Sequence, residues 1–366
     1  MKIILATGIY PPDIGGPSMY TYSLAEELVA QGHAVTVITY ESPYQRSHTV
    51  SRLWQVIDVP RGGWVIRWFR FAKALRTYAK NADIVYAFSS VSCGVPVFLA
   101  RLRHPKKILR LGGDFFWERY TDHGGMKSLR EWYASWHWSS IFGFFMKHHL
   151  LTSFDAIVFS THFQQKIYEK YYRTLPVHRV IENSLLPGLP LPHVAHDPFR
   201  FLFMGRFVAF KNISSLVLAL AKIPKATLTL TGEGPTSLAL VDLVSELSLN
   251  DRITFVSPVH GDRKDHLLKD HDVLVIPSMT EISPNVALEA RRIGLPVLLT
   301  EENGLSDDLR LGMVIAPLKT SAEIADALLS LMKNYPAIAQ GAAAPLRERT
   351  WRTVALEHLD LFQSLL

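Results

Sequence analysis

Short apolar runs alternate along the chain with longer segments in which hydrophobic residues recur every three or four positions. The short runs predict buried strands, and the three-to-four spacing predicts helices with one apolar face. In the first half the predicted strands are Lys2–Thr7, Ala34–Thr39, Val56–Val59, Ile84–Phe88, Lys107–Leu111 and Ala156–Ser160. The two clearest helices there are Ser18–Ala30 and Trp64–Tyr78. Alternation of this kind predicts a doubly wound parallel sheet.

A stretch with three prolines and a glycine, Leu185–His193, interrupts this alternation and predicts a stiff connector. The pattern then restarts with predicted strands at Arg200–Met204, Thr227–Thr231, Ile253–Val256, Val273–Ile276 and Val297–Thr300, and helices at Ile213–Lys222, Ser237–Leu247, Arg263–Lys269 and Val286–Ile293. We therefore predict an α/β protein with two Rossmann-like domains, 1–186 and 199–350, that face each other across a cleft and are joined by a linker, 187–198. A last helix follows near Thr353–Leu365.

Charge is distributed unevenly between the two halves. Residues 1–186 carry 22 Lys and Arg against 13 Asp and Glu, whereas residues 187–366 carry 17 against 20. The basic first half favours an anionic partner there, such as a membrane surface, a lipid phosphate or nucleic acid. Cys93 is the only cysteine, which excludes an internal disulfide and is compatible with a reducing compartment. No run of 18 apolar residues occurs, so we expect no membrane-spanning helix.

The most informative segment runs from Glu281 to Glu289, directly after an apolar predicted strand. Ser283 and Pro284 have the residue types of a helix N-cap and first helical position. The two carboxylates would then flank a helix N-terminus, whose free N–H groups and dipole favour phosphate. Such a site suits a ligand with hydroxyls at both ends and a phosphate between them, as in a nucleotide-sugar. The alternative is that two glutamates share this spacing by chance.

Two glycine-containing turns follow the first two predicted strands of the second half. In Gly205–Lys211 a tight strand-end turn would present Arg206 and Lys211, which could clamp a diphosphate. In Gly232–Pro235 the glycines would let the backbone approach a ligand. Taken singly, the two cations are compatible with solvated surface residues, and the second turn with an ordinary strand–helix connection.

The first half contains two comparable loops. Gly15 and Gly16 join the first strand to its helix and would allow close approach to phosphate oxygens. Asp114 follows another predicted strand and could meet a substrate hydroxyl, although loop aspartates are common. The sequence contains no Gly-x-Ser-x-Gly elbow, Walker loop, paired cysteine set or His-Glu-x-x-His motif. These absences argue against other catalytic classes and predict no metal centre.

As an ordered set, these motifs resemble those of the retaining family-4 glycosyltransferases of the GT-B fold, over nearly the full length. The resemblance implies a nucleotide-sugar held mainly by the second domain, with Arg206 and Lys211 on the diphosphate, Glu289 on the ribose and Glu281 near the donor sugar. It implies that Gly15, Gly16, Gly232 and the backbone around Ser283, Pro284 and Asn285 also line the donor site, and that a C-terminal helix, 351–366, crosses back onto the first domain. Many family members have a histidine where this chain reads Gly112-Gly-Asp114, so Asp114 would hold the donor's C6 hydroxyl or face the acceptor.

We therefore predict a metal-independent retaining glycosyltransferase that needs no cofactor beyond a UDP- or GDP-sugar. Its catalytic residues would be Glu281, Asp114, Arg206 and Lys211, and its acceptor a glycan or lipid-linked molecule in glycolipid or cell-surface polysaccharide biosynthesis. The alternatives are a nucleotide-sugar epimerase of the same fold and a basic nucleic-acid-binding module; the latter lacks a reader motif, so no nucleic acid is expected.

Two aromatic-rich segments predict peripheral contact with an anionic membrane, which would place a cytoplasmic protein on the inner face of that membrane. The alternative is that their aromatic residues belong to the core or to the acceptor cleft. The segments comprise Trp64, Arg67, Trp68, Arg70, Phe71, Lys73 and Arg76, and Trp132, Tyr133, Trp136 and Trp138.

Overall fold

The computed structural model of the chain describes residues 1–13, 15–43, 53–135, 141–185, 188, 190–345 and 348–366. Contacts among these residues divide the chain into two compact units. Unit 1 comprises Met1–Phe115, Ser135–Ser184 and Arg349–Leu366, and unit 2 comprises Phe116–Ala134 and Leu185–Glu348.

Short strands alternate with helices along both units. The strands are β1 Lys2–Thr7, β2 Ala34–Tyr40, β3 Gln55–Val59, β4 Ile84–Phe88, β5 Lys106–Leu111, β6 Ala156–Phe159, β7 Val177–Val180, β8 Phe199–Met204, β9 Ala226–Thr231, β10 Ile253–Val256, β11 Val273–Ile276, β12 Val297–Thr300 and β13 Val314–Ala316. The α-helices are α1 Gly16–Ala30, α2 Trp64–Tyr78, α3 Val95–Ala100, α4 Phe115–Asp122, α5 Leu129–Ala134, α6 Ile141–Thr152, α7 His162–Tyr171, α8 Ile213–Ala221, α9 Ser237–Glu246, α10 Asp262–Lys269, α11 Asn285–Arg292, α12 Ser321–Lys333, α13 Tyr335–Ala342 and α14 Trp351–Leu365.

Each unit contains one parallel sheet with doubly wound strand order. In unit 1 the order is β3-β2-β1-β4-β5-β6-β7, and in unit 2 it is β10-β9-β8-β11-β12-β13. The predicted α/β class with two Rossmann-like sheets is confirmed. The edge strands β7 and β13 were absent from the prediction. Both are short and only partly buried. β7 has polar residues at its centre, and β13 is apolar but only three residues long, which is too short to mark a strand.

The C-terminal helix α14 belongs to unit 1, as the resemblance implied. Its buried side chains, including Leu359 and Phe362, join the same apolar cluster as β1 and β4. At the centre of this packing His358 is fully buried between two hydrogen bonds. Its Nδ1 lies 2.7 Å from the carbonyl of Val354 and its Nε2 lies 2.9 Å from the hydroxyl of Tyr86. A carbonyl can only accept, so Nδ1 carries the proton and Nε2 accepts from Tyr86.

We expect the free energy of unfolding to fall steeply as the pH drops below about 6.5. Burial lowers the pKa of His358 from 6.5 to about 3. Between these values the unfolded chain binds a proton that the folded chain does not, so stability present at neutral pH is lost as the pH falls. At pH 4.5 this histidine alone should cost about 3 kcal/mol, since two pH units each correspond to about 1.36 kcal/mol.

Urea-unfolding midpoints at pH 7 and pH 4.5 measure this loss. Carboxylates contribute equally to the wild type and to a histidine variant, so the difference between the two proteins isolates the contribution of His358. His358→Gln should show a flatter pH dependence than the wild type. His260→Gln, at an exposed loop position, is the matched control and should keep the wild-type dependence. Identical pH dependence in all three proteins would contradict the assignment.

Unit 2 contains a segment from the first half of the sequence. The predicted limits assigned residues 116–134 to the first domain, whereas their contacts group them with unit 2. Several contacts attach the segment, including an ion pair between Arg130 and Glu302. The N–H of Leu129 donates to Oγ1 of Thr280, the ring of Trp117 packs against Phe210, and Glu131 pairs with Lys319. Such long-range pairing leaves no periodic signal in the sequence, so pattern analysis could not assign the segment.

Candidate active site

The strand order of unit 2 reverses between β8 and β11. These neighbours pair in parallel, while β9 lies on the other side of β8 and β12 on the other side of β11. Doubly wound sheets bind ligands outside the carboxyl ends of strands at such a reversal. Because β8 ends at Met204 and β11 at Ile276, the structure brings the predicted segments Gly205–Lys211 and Glu281–Glu289 to this one edge.

The turns after β8 and β9 interlock through their backbones. The N–H of Gly205 donates to Thr231 at 3.0 Å, and the N–H of Phe207 donates to Glu233 at 2.9 Å. A Cβ atom on Gly232, which has a φ of +148°, would lie 1.9 Å from the carbonyl oxygen of Gly205. Gly232 is therefore required for this close approach, and it fixes the turn that carries Arg206 and Lys211.

Glu281 is held in a buried ion pair. Its Oε1 accepts from the Lys211 ammonium at 2.5 Å and from the Ser278 hydroxyl at 2.6 Å. Its backbone is fixed as well, because its N–H donates to Glu302 and its carbonyl accepts from Gly304, both at 2.8 Å. The side chain of Glu281 is 8% exposed and that of Lys211 is 20% exposed. The sequence predicted both residues for this site but gave no sign that they pair.

Arg206 lies on the same turn as Lys211 and is exposed. The turn ends in a short 3-10 helix, Ala209–Lys211, and Asn212 then begins α8 with its side-chain amide on the carbonyls of Leu318 and Lys319. These hydrogen bonds of Asn212 fix the backbone next to Lys211. The candidate site thus presents one exposed guanidinium and one ammonium shared with a carboxylate.

Helix α11 begins one residue later than predicted. Pro284 occupies the N-cap position and Asn285 the first helical position, whereas the sequence suggested Ser283 as the cap. The difference has a simple cause: Pro284 has an extended backbone, with ψ of 94°. The first N–H groups of α11 point out of the helix N-terminus, as in any α-helix. They lie at the same sheet edge as Glu281, which precedes the helix by four residues.

Glu289 pairs with a residue that sequence reasoning missed. On α11 its carboxylate forms an ion pair with Lys264 of α10. The Glu289 side chain is 36% exposed and that of Lys264 is 24% exposed, so the pair is open to solvent on one side. The predicted site residue Glu289 is therefore paired with the Lys264 ammonium. No motif marks Lys264, because it lies in an ordinary polar stretch of the sequence.

The inserted segment contacts the immediate neighbours of the two central site residues. Trp117 packs on Phe210, with ring centroids 5.2 Å apart, and Phe210 precedes Lys211. Leu129 donates its N–H to Thr280 at 2.9 Å, and Thr280 precedes Glu281. The segment is thus a structural support of the site in unit 2, although it comes from the first half of the sequence.

Two predicted residues of unit 1, Gly15 and Gly16, lie where β1 gives way to α1. Gly15 takes the N-cap position of α1 with a φ of +154°, and a Cβ there would lie 2.6 Å from Cδ1 of Ile9. The strand order of unit 1 reverses between β1 and β4, so this turn lies at the corresponding sheet edge. The structure places the turn and does not test its contact with a donor.

Asp114 is buried in an ion pair with Lys147. Its Oδ2 lies 2.6 Å from the Lys147 ammonium and accepts from the Tyr168 hydroxyl at 3.0 Å. The side chain of Asp114 is 0% exposed and that of Lys147 is 4% exposed. Burial lowers the pKa of Lys147, and the neighbouring carboxylate of Asp114 counteracts that effect. In this structure the carboxylate faces protein groups, and its predicted role toward a substrate stays a prediction.

The chain matches two sequence families that describe its two halves. The family of glycosyl transferases group 1 matches residues 192–348, and the glycosyl transferase 4-like domain matches residues 15–183. The chain therefore belongs to the group 1 glycosyltransferases, which makes it a sugar-transferring enzyme. An uncharacterized glycosyltransferase of Methanocaldococcus jannaschii is 26% identical over 85% of this chain and 83% of its own length.

Solved structures share the fold over the whole chain. Sucrose-phosphate synthase from Thermosynechococcus elongatus has a TM-score of 0.81 at 20% identity and covers 100% of this chain and 98% of its own. The Anabaena protein HepE, solved in complex with UDP and glucose, has a TM-score of 0.74 at 16% identity and covers 100% of both chains. Together with the two sheets, these likenesses confirm the predicted GT-B fold.

Proposed function

We propose that the protein is a retaining glycosyltransferase that moves a sugar from a UDP- or GDP-sugar to an acceptor hydroxyl. The observation that carries the proposal is the Lys211–Glu281 ion pair at the strand reversal of unit 2, four residues before the N-terminus of α11. A cation, a carboxylate and a helix N-terminus at one edge suit a sugar diphosphate. The complex of HepE with UDP and glucose supports a nucleotide-linked donor.

The diphosphate would be held by Arg206, by Lys211 and by the first N–H groups of α11. An ammonium has three N–H donors. One is used on Glu281, which leaves two for phosphate oxygens. The exposed Arg206 adds a planar fork that matches two oxygens. These groups would neutralise the charge that grows on the leaving diphosphate, which is the task a metal ion performs in other transferases.

Transfer would occur on one face of the sugar. The bond between the anomeric carbon and the diphosphate oxygen breaks, and the acceptor oxygen forms its bond on the same face. The acceptor's proton passes to the departing phosphate oxygen, so no separate protein base is needed. Positive charge develops on the sugar ring meanwhile, and the Glu281 carboxylate would stabilise it.

The nucleoside would lie along α11, with Glu289 accepting hydrogen bonds from the ribose hydroxyls. Glu289 is held by Lys264, so its orientation is fixed before a ligand arrives. A preset acceptor loses less entropy on binding. Asp114 lies in unit 1, where it would act as a positioning residue through its buried contacts with Lys147 and Tyr168 rather than touch the sugar.

A nucleotide screen followed by a transfer assay tests this function. UDP, GDP, ADP and their sugars are compared by thermal shift, because a ligand at 100-fold its dissociation constant adds about 2.7 kcal/mol. We expect UDP or GDP to stabilise the protein and ADP to have little effect. NMR of the product should show the donor's anomeric configuration. Interconversion of free donor without acceptor would indicate an epimerase instead, and DNA binding without sugar turnover a nucleic-acid module.

We expect sugar transfer to survive an excess of EDTA. Arg206 and Lys211 would supply the positive charge that a bound metal otherwise provides, so removing divalent cations takes nothing from the reaction. The transfer rate is measured after dialysis against chelator, with and without added Mg²⁺ or Mn²⁺. Activity that disappears with EDTA and returns with either ion would contradict the two-cation mechanism.

We further propose that helix α2 rests on an anionic membrane. Four large apolar residues on it, Trp64, Val65, Ile66 and Phe69, are 50–60% exposed. The helix carries four cations and no acidic residue. Of the predicted contact residues, Phe71 and Tyr133 are buried and serve the core, and Trp136 and Trp138 lie outside the described residues. None of the helices in the described ranges is long and apolar enough to cross a bilayer, so the contact would be peripheral.

The protein should co-float with liposomes that contain anionic lipid, and raised salt should weaken the binding. Trp64→Ala with Phe69→Ala should reduce flotation, because these rings supply the apolar area that inserts. The matched control, Leu238→Ala with Val241→Ala, removes exposed apolar groups from α9 of unit 2 and should float like the wild type. Equal flotation of both variants, or none by the wild type at low salt, would exclude this contact.

A further inference from the structure

Two histidines and an aspartate meet at the opposite edge of the unit 2 sheet. His193 and His196 lie in the segment that leads into β8, and Asp272 directly precedes β11. Their ligand atoms all lie within 4.8 Å of one another. Nδ1 of His196 lies 2.7 Å from Oδ1 of Asp272, and Nδ1 of His193 lies 3.6 Å from the same oxygen. The amino ends of β8 and β11 are far from Glu281, since a four-residue strand spans about 13 Å.

Hydrogen bonds fix the direction of the His193 ring. Its Nε2 lies 2.8 Å from the carbonyl of Lys269 and must donate to it, because a carbonyl only accepts. In the neutral ring Nδ1 then has a lone pair. That lone pair faces Oδ1 of Asp272 and, at 3.3 Å, the hydroxyl of Tyr335, whose proton is directed to the carbonyl of Asp272 at 3.0 Å. His193 thus turns an acceptor nitrogen toward the carboxylate of Asp272, and a cation between the two would offset their repulsion.

The carboxylate is equally well held. The side chain of Asp272 is fully buried, and its oxygens accept backbone N–H groups from His196 at 3.0 Å and from Arg200 at 2.7 Å. Hydrogen bonds of this kind orient metal ligands in established sites. The two histidine side chains are 19% and 30% exposed, which leaves a path for an ion.

We propose that His193, His196 and Asp272 bind one Zn²⁺ ion, with water as the fourth ligand. Two imidazoles and a carboxylate are ligand types that zinc takes in tetrahedral sites. Ligands at about 2.0–2.1 Å in a tetrahedron lie roughly 3.3 Å apart, between the 2.7 and 3.6 Å seen here. Small side-chain shifts would thus complete the site. On binding, His196 loses the Nδ1 proton that it now shares with Asp272.

The ion would be structural, since it lies at the sheet edge away from the sugar-transfer site. It would fasten the proline-rich connector to the start of β8 and to Asp272. Chelation should therefore lower the thermal midpoint and leave the transfer rate below that midpoint unchanged. The two readouts keep the proposals apart. A change in the thermal midpoint bears on the zinc site, whereas the metal-independent mechanism fails only if the transfer rate itself needs a metal.

Zn²⁺ titration of chelator-treated full-length protein, with Co²⁺ as a spectroscopic probe, tests the site. We expect one ion per chain, four-coordinate Co²⁺ absorption, proton release and a higher thermal midpoint. His193→Gln with His196→Gln should weaken zinc binding by more than the ten- to about hundredfold loss typical of outer-shell changes. His260→Gln, an exposed control, should bind like the wild type.

Urea midpoints in excess EDTA show whether the double variant is folded. A folded double variant that binds zinc as tightly as the wild type would overturn the proposal. So would a wild type that binds no zinc.

Discussion

Replacing Glu281 by glutamine should lower kcat by about ten- to a thousandfold, which corresponds to roughly 1.4–4 kcal/mol of lost transition-state stabilisation. Positive charge develops on the sugar only as the diphosphate leaves, so the carboxylate acts more strongly on the transition state than on the bound donor. Both Lys211 and Ser278 donate to the same oxygen, Oε1. A glutamine can keep that oxygen as its acceptor, so this variant should stay folded.

Glu289→Gln should give a different kinetic result. Its expected partner, the ribose, changes little during the reaction, so the loss should raise the donor KM and leave kcat almost unchanged. Loss of the partly exposed pair with Lys264 should cost less than about 1 kcal/mol of stability. Glu246→Gln, at the exposed C-terminal end of α9, is the matched control and should behave as the wild type. Wild-type kcat and KM in folded forms of both site variants would show that this pair is not the donor site.

Replacing Lys147 by methionine should destabilise unit 1 by about 3–5 kcal/mol, because it leaves the Asp114 charge buried without its cation. The two side chains are 4% and 0% exposed, so water cannot replace the lost partner. Against a total stability of about 5–15 kcal/mol, such a loss is large. Urea unfolding followed by circular dichroism measures it.

Two further variants show whether the buried charge causes the loss. Lys147→Met combined with Asp114→Asn removes the charge, keeps an acceptor for Tyr168 and should recover most of the stability. Arg179→Met breaks an exposed pair with Asp360 in the same unit, 40% and 70% exposed, and should cost less than about 1 kcal/mol. If the single Lys147 variant is as stable as the wild type, the buried pair has no structural role.

The sequence predicted the inner strands well because they are buried on both faces. β4 and β11, for example, are buried at every position, and a continuous apolar run follows. β7 and β13 lie at sheet edges and are only partly buried. β7 has polar residues at its centre, and β13 is apolar over only three residues. Handedness and crossover rules restrict the order of the strands to a handful of arrangements, and the structure shows which of them is present.

Motif residues of the site were predicted, but their partners were not. Glu281, Lys211 and Glu289 stand out by their positions after strands or inside a helix. Lys264 and Thr280 have no distinguishing pattern, because an ion pair or a hydrogen bond across 25 or 151 positions leaves no trace in local spacing. Asp114 was predicted from its loop position, and only the structure shows its burial against Lys147. Likewise, only the structure shows that His193 and His196 lie beside Asp272.

The central claim is that unit 2 holds the donor's diphosphate through Arg206 and Lys211, and calorimetry of nucleotide binding tests it most directly. The screen chooses one nucleoside diphosphate. We compare its dissociation constant with that of its monophosphate, in the wild type and in the double variant Arg206→Gln with Lys211→Gln. Lys222→Gln, at the far end of α8, is the control. We expect the wild type and the control to prefer the diphosphate, and the double variant to lose that preference while it still binds the monophosphate. A double variant that keeps the wild-type preference would contradict the account.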